Sequence, residues 1–471
     1  MRGLFGTPLL CTLLLSALAA PLALQAGSSS TSAAKHPPAN VILFIGDGMD
    51  EHQITLARNY LLGANGTLAM EQLPVRSSAK VQTLREDDPT QYRYVADSAN
   101  TASTLATGRL TSMGRIATSA GDDRDLPTVL EAARQAGLAT GLVTSANLTD
   151  ATPAAFATHT AHRNCQNPGD MHKPINYVPA TQQCLADHQS QGGKGSIAEQ
   201  LLASGVDVLL GGGKKEFTRI DSHNPLEKIV ASPGYQLLQQ REKLLSYHGN
   251  EPLLGLFASD HLTVEWIGEG NRRAEPMAFN LIGEPMFPTP FSCQQNPRHW
   301  GTPTLEEMTR AALEQLAGKS TGFFLMVEGA SIDKQAHQRN PCGEIGELQA
   351  FDRAVAVGQA FASKHTNTLI IVTADHGQAG QIIPLPEYYQ SWGGKQYPPG
   401  HYAVLETRSG ELMGVSYATN AAPQGKSELH TGVNVPVFLQ GIEHRQVPAL
   451  IDQRTINQLM RQHLGLTSAA Q

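Results

Sequence analysis

The sequence predicts an α/β fold, one large domain whose mostly parallel central sheet is flanked by helices on both faces. Three observations predict it. Seven apolar runs recur along the chain: NVILFIG (40–46), ATGLVTSA (139–146), VDVLLGGG (206–213), PLLGLFAS (252–259), GFFLMVE (322–328), TLIIVTAD (368–375) and VPVFLQG (435–441). They are unbroken instead of alternating, the pattern of strands covered on both faces. Between them lie segments with apolar residues at helical spacing: LPTVLEAARQAG, SIAEQLLAS, TLEEMTRAALEQLA and EIGELQAFDRAVAVGQAFA. The chain, at 471 residues, is long enough to bury a large core.

The elements follow in order. Residues 1–26, with one Arg, a Leu-rich stretch and a small residue at Ala26, read as a cleaved signal peptide. Residues 27–39 are a Ser/Ala/Pro-rich flexible linker, and 40–466 form the α/β domain. Within it, 383–430 is loop-rich with short alternating strands and reads as a surface excursion. GGKGS and LGGGKK lack the spacing of a phosphate-cradling loop and read as turns. No segment after the first approaches the roughly 20 apolar residues of a membrane span. The expected product is therefore exported, periplasmic or extracellular, with no stable membrane association after signal cleavage. Beyond Cys11 there are four cysteines, Cys165, Cys184, Cys293 and Cys342, an even number suited to two disulfides in an oxidising compartment. Spacing alone permits three pairings, of which the nearest-neighbour one is simplest. A net charge of −7 with no Lys/Arg block excludes nucleic acid as a partner, so an anionic substrate must be held by local charge.

In open parallel sheets, ligands gather beyond the carboxyl ends of the strands. NVILFIG is followed by Asp47; GFFLMV by Glu328, then Asp333 and His337; TLIIVTA by Asp375 and His376. Asp333 and His337 are four apart, on one face of a helix. A lone Asp after a strand is ordinarily a cap or turn former. Convergence of three strand ends on carboxylates and imidazoles instead fits zinc or magnesium. In YVADSANTASTLATG (94–108), Asp97 and Ser98 stand where a strand-like start becomes a helix. The plain reading is an N-cap worth roughly 1 kcal/mol; the functional one is a nucleophilic serine at an anion-welcoming helix start. No GxSxG elbow occurs. TDATPAAFATHTAHRNC (149–165) offers Asp150, Thr152 and Arg163, with His159 and His162 read as structural, and ELHTG carries His430 before the last strand.

DSA (97–99), DATPAA with Arg163, VEGASIDKQAH (327–337), TADH (373–376) and HTG (430–432) occur in this order, and together they resemble the bacterial periplasmic alkaline phosphatases. The resemblance spans nearly the whole chain after residue 39. It implies metal-dependent hydrolysis of phosphate monoesters through a phosphoserine on Ser98, with two Zn2+ and one Mg2+ per chain. By the family's pattern Asp333, His337 and His430 hold one zinc, and Asp47, Asp375 and His376 the second, with Ser98 as its fourth ligand. Asp47 also bridges to a magnesium held by Thr152 and Glu328. Arg163 grips phosphate, Asp150 orients Arg163 and a magnesium-bound water, and Lys334 reaches phosphate through water. The resemblance further implies disulfides 165–184 and 293–342 and a homodimer. Two residues depart from the family's serine signature, Asn100 and Ser103; Asn100 is expected to contact the phosphate or narrow its pocket. A sulfatase on the same fold would need a C/S-x-P-x-R context, and Ser98 has Asn100 and Ala102 instead. A passive metal- or phosphate-binding protein would have no use for a nucleophile beside a complete ligand set.

Overall fold

A computed structural model describes residues 39–231, 233–319, 321–385, 400–418 and 427–466. The signal peptide and most of the linker expected at the start lie outside the described residues, as do 386–399 and 419–426 of the expected excursion. All seven apolar runs are strands of one ten-stranded sheet. In chain order its strands are β1 (Asn40–Gly46), β2 (Val75–Lys80), β3 (Ala139–Asn147), β4 (Val208–Gly212), β5 (Gln236–Leu238), β6 (Leu253–Leu256), β7 (Phe323–Gly329), β8 (Thr368–Ala374), β9 (Val435–Gln440) and β10 (Leu450–Asp452). They lie side by side in the order β10-β2-β9-β8-β1-β7-β3-β4-β6-β5. Every neighbouring pair is parallel except the two made by β9, which runs against both β8 and β2. The sheet is therefore mostly parallel, as expected, with one reversed strand that the sequence did not announce.

The helices used below are α1 (Glu51–Leu62), α2 (Ser98–Thr107), α3 (Val129–Gln135), α4 (Ala151–Ala157), α5 (Ile197–Ala203), α6 (Leu305–Ala317), α7 (Ser331–His337), α8 (Pro341–Ala362) and α9 (Gln453–His463). The four helical patterns of the sequence are α3, α5, α6 and α8. Asp50, Thr128, Ser196 and Thr304 cap α1, α3, α5 and α6 with reciprocal capping boxes, satisfying donors that would otherwise be orphaned. The helices cover both faces of the sheet. Phe44 on β1 meets Phe351 of α8 edge-on at 6.1 Å. Phe324, in register with Val41 and so on the other face, stacks on Phe156 of α4 at 5.8 Å. β1, β7 and β8 are buried at every position, so they need helices on both sides and cannot sit at an edge.

The described part of 383–430 contains short strands, as its sequence pattern suggested. His401–Glu406 and Leu412–Ser416 pair with Gln381–Ile383 and Glu275–Pro276 in a separate four-stranded antiparallel sheet, which buries Tyr402, Leu405, Val415 and Tyr417. Two disulfides are present, Cys165–Cys184 and Cys293–Cys342. The first fastens the loop just after Arg163; the second fastens a two-stranded antiparallel ribbon, Cys293–Gln295 with Trp266–Gly268, to the first turn of α8. Among the described residues no helix is long and apolar enough to cross a membrane.

Candidate active site

Sheet register builds the site. Gly46 stands opposite both Gly329 and Ala374, so Asp47 and Asp375 leave the sheet side by side, while Glu328 sits just inside the edge. Gly48 turns the chain away at φ +66°; a Cβ there would lie 3.0 Å from that of Asp333 and 3.1 Å from that of Gln378, so the approach requires glycine. Its N–H donates to Asp375 Oδ1 at 3.0 Å. β7 runs on into α7, which sets Asp333 and His337 one turn apart on a single face. Because β9 is antiparallel, it begins at this same edge of the sheet, and the turn before it delivers His430.

The side chains gather into adjoining sets. Asp333 Oδ2 lies 3.3 Å from His337 Nε2 and Asp333 Oδ1 3.4 Å from His430 Nε2, with the two imidazole Nε2 atoms 3.1 Å apart. Each ring has its Nδ1 against a main-chain carbonyl, Glu428 at 2.6 Å and Ala96 at 2.8 Å, so Nδ1 carries the hydrogen and Nε2 is presented inward. In the second set His376 Nε2 is 3.4 Å from Asp47 Oδ1 and 3.3 Å from Asp375 Oδ2. Ser98 Oγ completes it, 3.2 Å from His376 Nε2 and 3.4 Å from Asp47 Oδ1. Ligand atoms of Asp47, Asp333 and His376 also lie within 4.8 Å of one another, so the Asp333 carboxylate is a wall common to both sets. A third group lies deeper: Glu328, hydrogen-bonded by the Thr144 hydroxyl, and Thr152, whose buried Oγ1 has no hydrogen-bond partner among the described residues.

Electrostatics say what these sets want. Burial, then repulsion from Asp375 and Asp333, raises Asp47 well above the usual carboxylate range. Burial and the Asp150 carboxylate push Glu328 up to about 7, and burial lifts Asp375 to about 6. Burial also acts to raise Asp333, but the imidazoles of His337, His430 and His376 outweigh it and hold it well below. So many oxygen and nitrogen donors, closely spaced and short of positive charge, with an unpartnered hydroxyl beside them, fit bound divalent cations.

The opposite wall is cationic. Ser98 is the first residue of α2, whose cap Asp97 accepts from the Asn100 N–H at 3.0 Å. Arg163 is gripped at both nitrogens, Nη1 3.5 Å from Asp97 Oδ2 and Nη2 3.1 Å from Asp150 Oδ1. Lys334 Nζ meets the other oxygen of Asp150 at 2.8 Å. Burial opposes ionisation of Asp150, but Lys334 and Arg163 overcome it and hold that carboxyl far below its ordinary value. Ser98, Asp150, Arg163, Asp333, Lys334, His337 and His430 open together onto a cleft of about 590 Å³.

All twelve site residues expected from the sequence thus converge. One expectation about a neighbour is corrected. Asn100 does not line the cleft: it is wholly buried, its amide donating to the Gln82 carbonyl and its Oδ1 accepting from the Asp97 N–H, so its side chain completes the helix cap. Ser103 likewise points away, bonding the Arg115 carbonyl and the Ala117 N–H. His159, read as structural, spans the Ala117 carbonyl and Glu131. Gly377 and Gln378, after His376, also look particular to this chain in sequence; what sequence reasoning missed was Asp97 as a partner of Arg163 and the contact in which Gln378 Nε2 donates to Asp333 Oδ1 at 2.6 Å. It also missed Lys215, Asp260 and His261 in the cleft wall. The last two follow the strand PLLGLFAS as Asp375–His376 follow TLIIVTA, and the same strand-end rule would have found them.

The alkaline phosphatase family matches residues 38–421. The chain is 41% identical to streptomycin-6-phosphate phosphatase of Streptomyces griseus over 96% of each chain. It is 37% identical to alkaline phosphatase of Escherichia coli over 94% of this chain and 89% of that one. The crystal structure of Thermus thermophilus alkaline phosphatase superposes with a TM-score of 0.65 at 23% identity, covering 92% of this chain and 93% of that one, and supports the fold. The chain belongs to the alkaline phosphatase family, and its reaction is metal-dependent hydrolysis of phosphate monoesters.

Proposed function

We propose that Ser98 is the nucleophile and carries the phosphoryl group as a phosphoserine. The observation that carries this is the position of Ser98 Oγ, between Asp47 and His376 on one side and the cleft bearing Arg163 on the other. Asp333, His337 and His430 would hold one zinc, Asp47, Asp375 and His376 with Ser98 a second, and Asp47, Thr152 and Glu328 a magnesium. Cations so held supply Lewis acidity to the attacking and leaving oxygens. Ser98 Oγ bonds to phosphorus as the ester P–O bond breaks, and the serine proton departs, in the net reaction, with the alcohol. Water then cleaves the Ser98–phosphate ester and releases inorganic phosphate. Arg163 presents a planar fork to two phosphate oxygens. Asp150, braced between Arg163 and Lys334, keeps both cations aimed into the cleft instead of at each other's solvent. Among the described residues the cleft is lined by polar and charged side chains, Asn147, Gln166, Lys215 and Asp260 among them, which supports broad selectivity among monoesters.

We extend the reading to a periplasmic or extracellular homodimer. The two disulfides support an oxidising compartment. Exposed Tyr94, Val95 and Val433, close enough that a Cβ on Gly432 would touch Tyr94 and Val95, support a contact between copies. Sedimentation of the chain without residues 1–26 should give the mass of two copies; a monomer at micromolar concentration would refute the dimer.

Ser98→Ala should abolish the covalent intermediate and keep the fold, since the cap comes from Asp97 and not from Ser98. Acid trapping with a monoester followed by peptide mass spectrometry should find phosphate on Ser98 in the parent and nowhere in the variant. Phosphate on another residue would contradict the assignment.

Arg163→Ala separates a monoesterase from a diesterase. A monoester dianion keeps three non-bridging oxygens, enough for the fork and the cations together; a diester keeps two. Charge-assisted hydrogen bonds contribute roughly 1.5–3 kcal/mol, about 10–150-fold in kcat/KM. Monoester hydrolysis should fall by that factor, diester hydrolysis should fall less, and phosphate should inhibit more weakly. Equal falls with unchanged phosphate inhibition would make Arg163 a structural residue.

A further inference from the structure

We propose that the buried Arg339–Glu428 ion pair is a positioning device that sets how tightly Asp333, His337 and His430 hold their cation. It rests on reading those three residues as a metal set.

Arg339 lies two residues beyond His337, just past the end of α7, and Glu428 two residues before His430. Both are buried, Glu428 completely. Arg339 Nε donates to Glu428 Oε1 at 2.5 Å, and Arg339 Nη1 lies 3.3 Å from His401 Nε2 in the four-stranded sheet. The other carboxylate oxygen, Glu428 Oε2, has no hydrogen-bond partner among the described residues, so compensation of this buried charge falls to the guanidinium. The backbone of Arg339 is held at φ +56°, a left-handed conformation uncommon for arginine. Its N–H donates to the Ala336 carbonyl at 2.9 Å and its own carbonyl accepts from the Ala274 N–H at 2.9 Å. The guanidinium is thereby fixed in space before it meets Glu428.

What Glu428 does with its main chain links the pair to the metal set. Its N–H donates to the His337 carbonyl at 3.1 Å, and its carbonyl accepts from His337 Nδ1 at 2.6 Å. The second contact selects the tautomer that turns His337 Nε2 toward Asp333 and His430. One ion pair therefore clasps two segments 89 residues apart, each within two residues of a ligand, and holds the ring of one of them. Without the guanidinium, the Glu428 carboxylate is buried and unmatched and must move toward water, taking its grip on His337 with it. Partners that orient metal-bound imidazoles typically change affinity 10–100-fold when removed.

The test is transfer of zinc from the loaded full chain to a chromophoric chelator, in the parent, Arg339→Met and Glu428→Gln. In Arg339→Met one zinc equivalent should transfer about 10–100-fold more readily, the other as in the parent. Glu428→Gln, which keeps the main-chain bonds and the volume, should shift the same equivalent in the same direction by less. A parent-like zinc profile in both variants would overturn the proposal whether or not Tm falls, because a purely structural pair lowers Tm and leaves zinc affinity alone. Failure of both variants to fold would also overturn it, making the pair a requirement of folding and not of ligand placement. A parent that binds no zinc would instead refute the metal set itself.

Discussion

Asp47, Glu328, Asp333 and Asp375 crowd the buried end of three parallel strands, and the rest of the active site answers to their mutual repulsion. Two unit charges 4 Å apart interact by about 4 kcal/mol at the effective dielectric of a protein site. Burial, with repulsion from neighbouring carboxylates added to it, raises Asp47, Glu328 and Asp375, and bound cations would let these carboxylates ionise together. The sheet makes the crowding unavoidable. Gly46, Gly329 and Ala374 are in register, so β1 and β8 release Asp47 and Asp375 at one level with Glu328 of β7 just inside it, and burial of the strands specifies that register. Core packing thus sustains an electrostatic arrangement that would not hold itself together.

The same arithmetic shapes the wall that faces the substrate. Arg163 and Lys334 would repel each other and wander if left in a cleft; Asp150 binds one with each of its oxygens, and Asp97 takes the remaining edge of the guanidinium. Asp97 therefore serves twice, capping the helix that starts at Ser98 and steering the arginine across from it. One carboxylate thus places both Ser98, the proposed nucleophile, and Arg163, the proposed phosphate-binding fork, and so fixes their separation. The disulfide at Cys165 secures the loop that carries the arginine from the other side.

Much of this was legible in the sequence because the physics is local. An unbroken apolar run announces a strand buried on both faces, and the polar residue that ends it announces the sheet edge; Asp47, Glu328, Asp375 and His376 were found that way, and Asp333 and His337 by helical spacing. Val75–Lys80 escaped because its alternating buried and half-exposed residues carry no apolar run, and β5 and β10 because each is three residues at a margin. The reversal of β9, which explains why His430 precedes its strand instead of following it, is a pairing choice between distant segments and leaves no local mark. Asn100 was misjudged for a similar reason. Its neighbours in sequence suggest the pocket, but the capping box turns its side chain back to Asp97 and the Gln82 carbonyl. Gln378 and the Arg339–Glu428 pair act only through contacts between residues far apart along the chain.

If cations are what permit these carboxylates to coexist, stability and activity must depend on the same ions. The most direct measurement is thermal unfolding and monoester hydrolysis of the full chain before and after exhaustive chelation, with zinc and magnesium content determined on the same samples. Metal binding to the folded state stabilises it by linkage, so Tm and activity should fall together and return together when zinc and magnesium are restored. A protein proven free of both metals that kept its Tm and its activity would contradict the account.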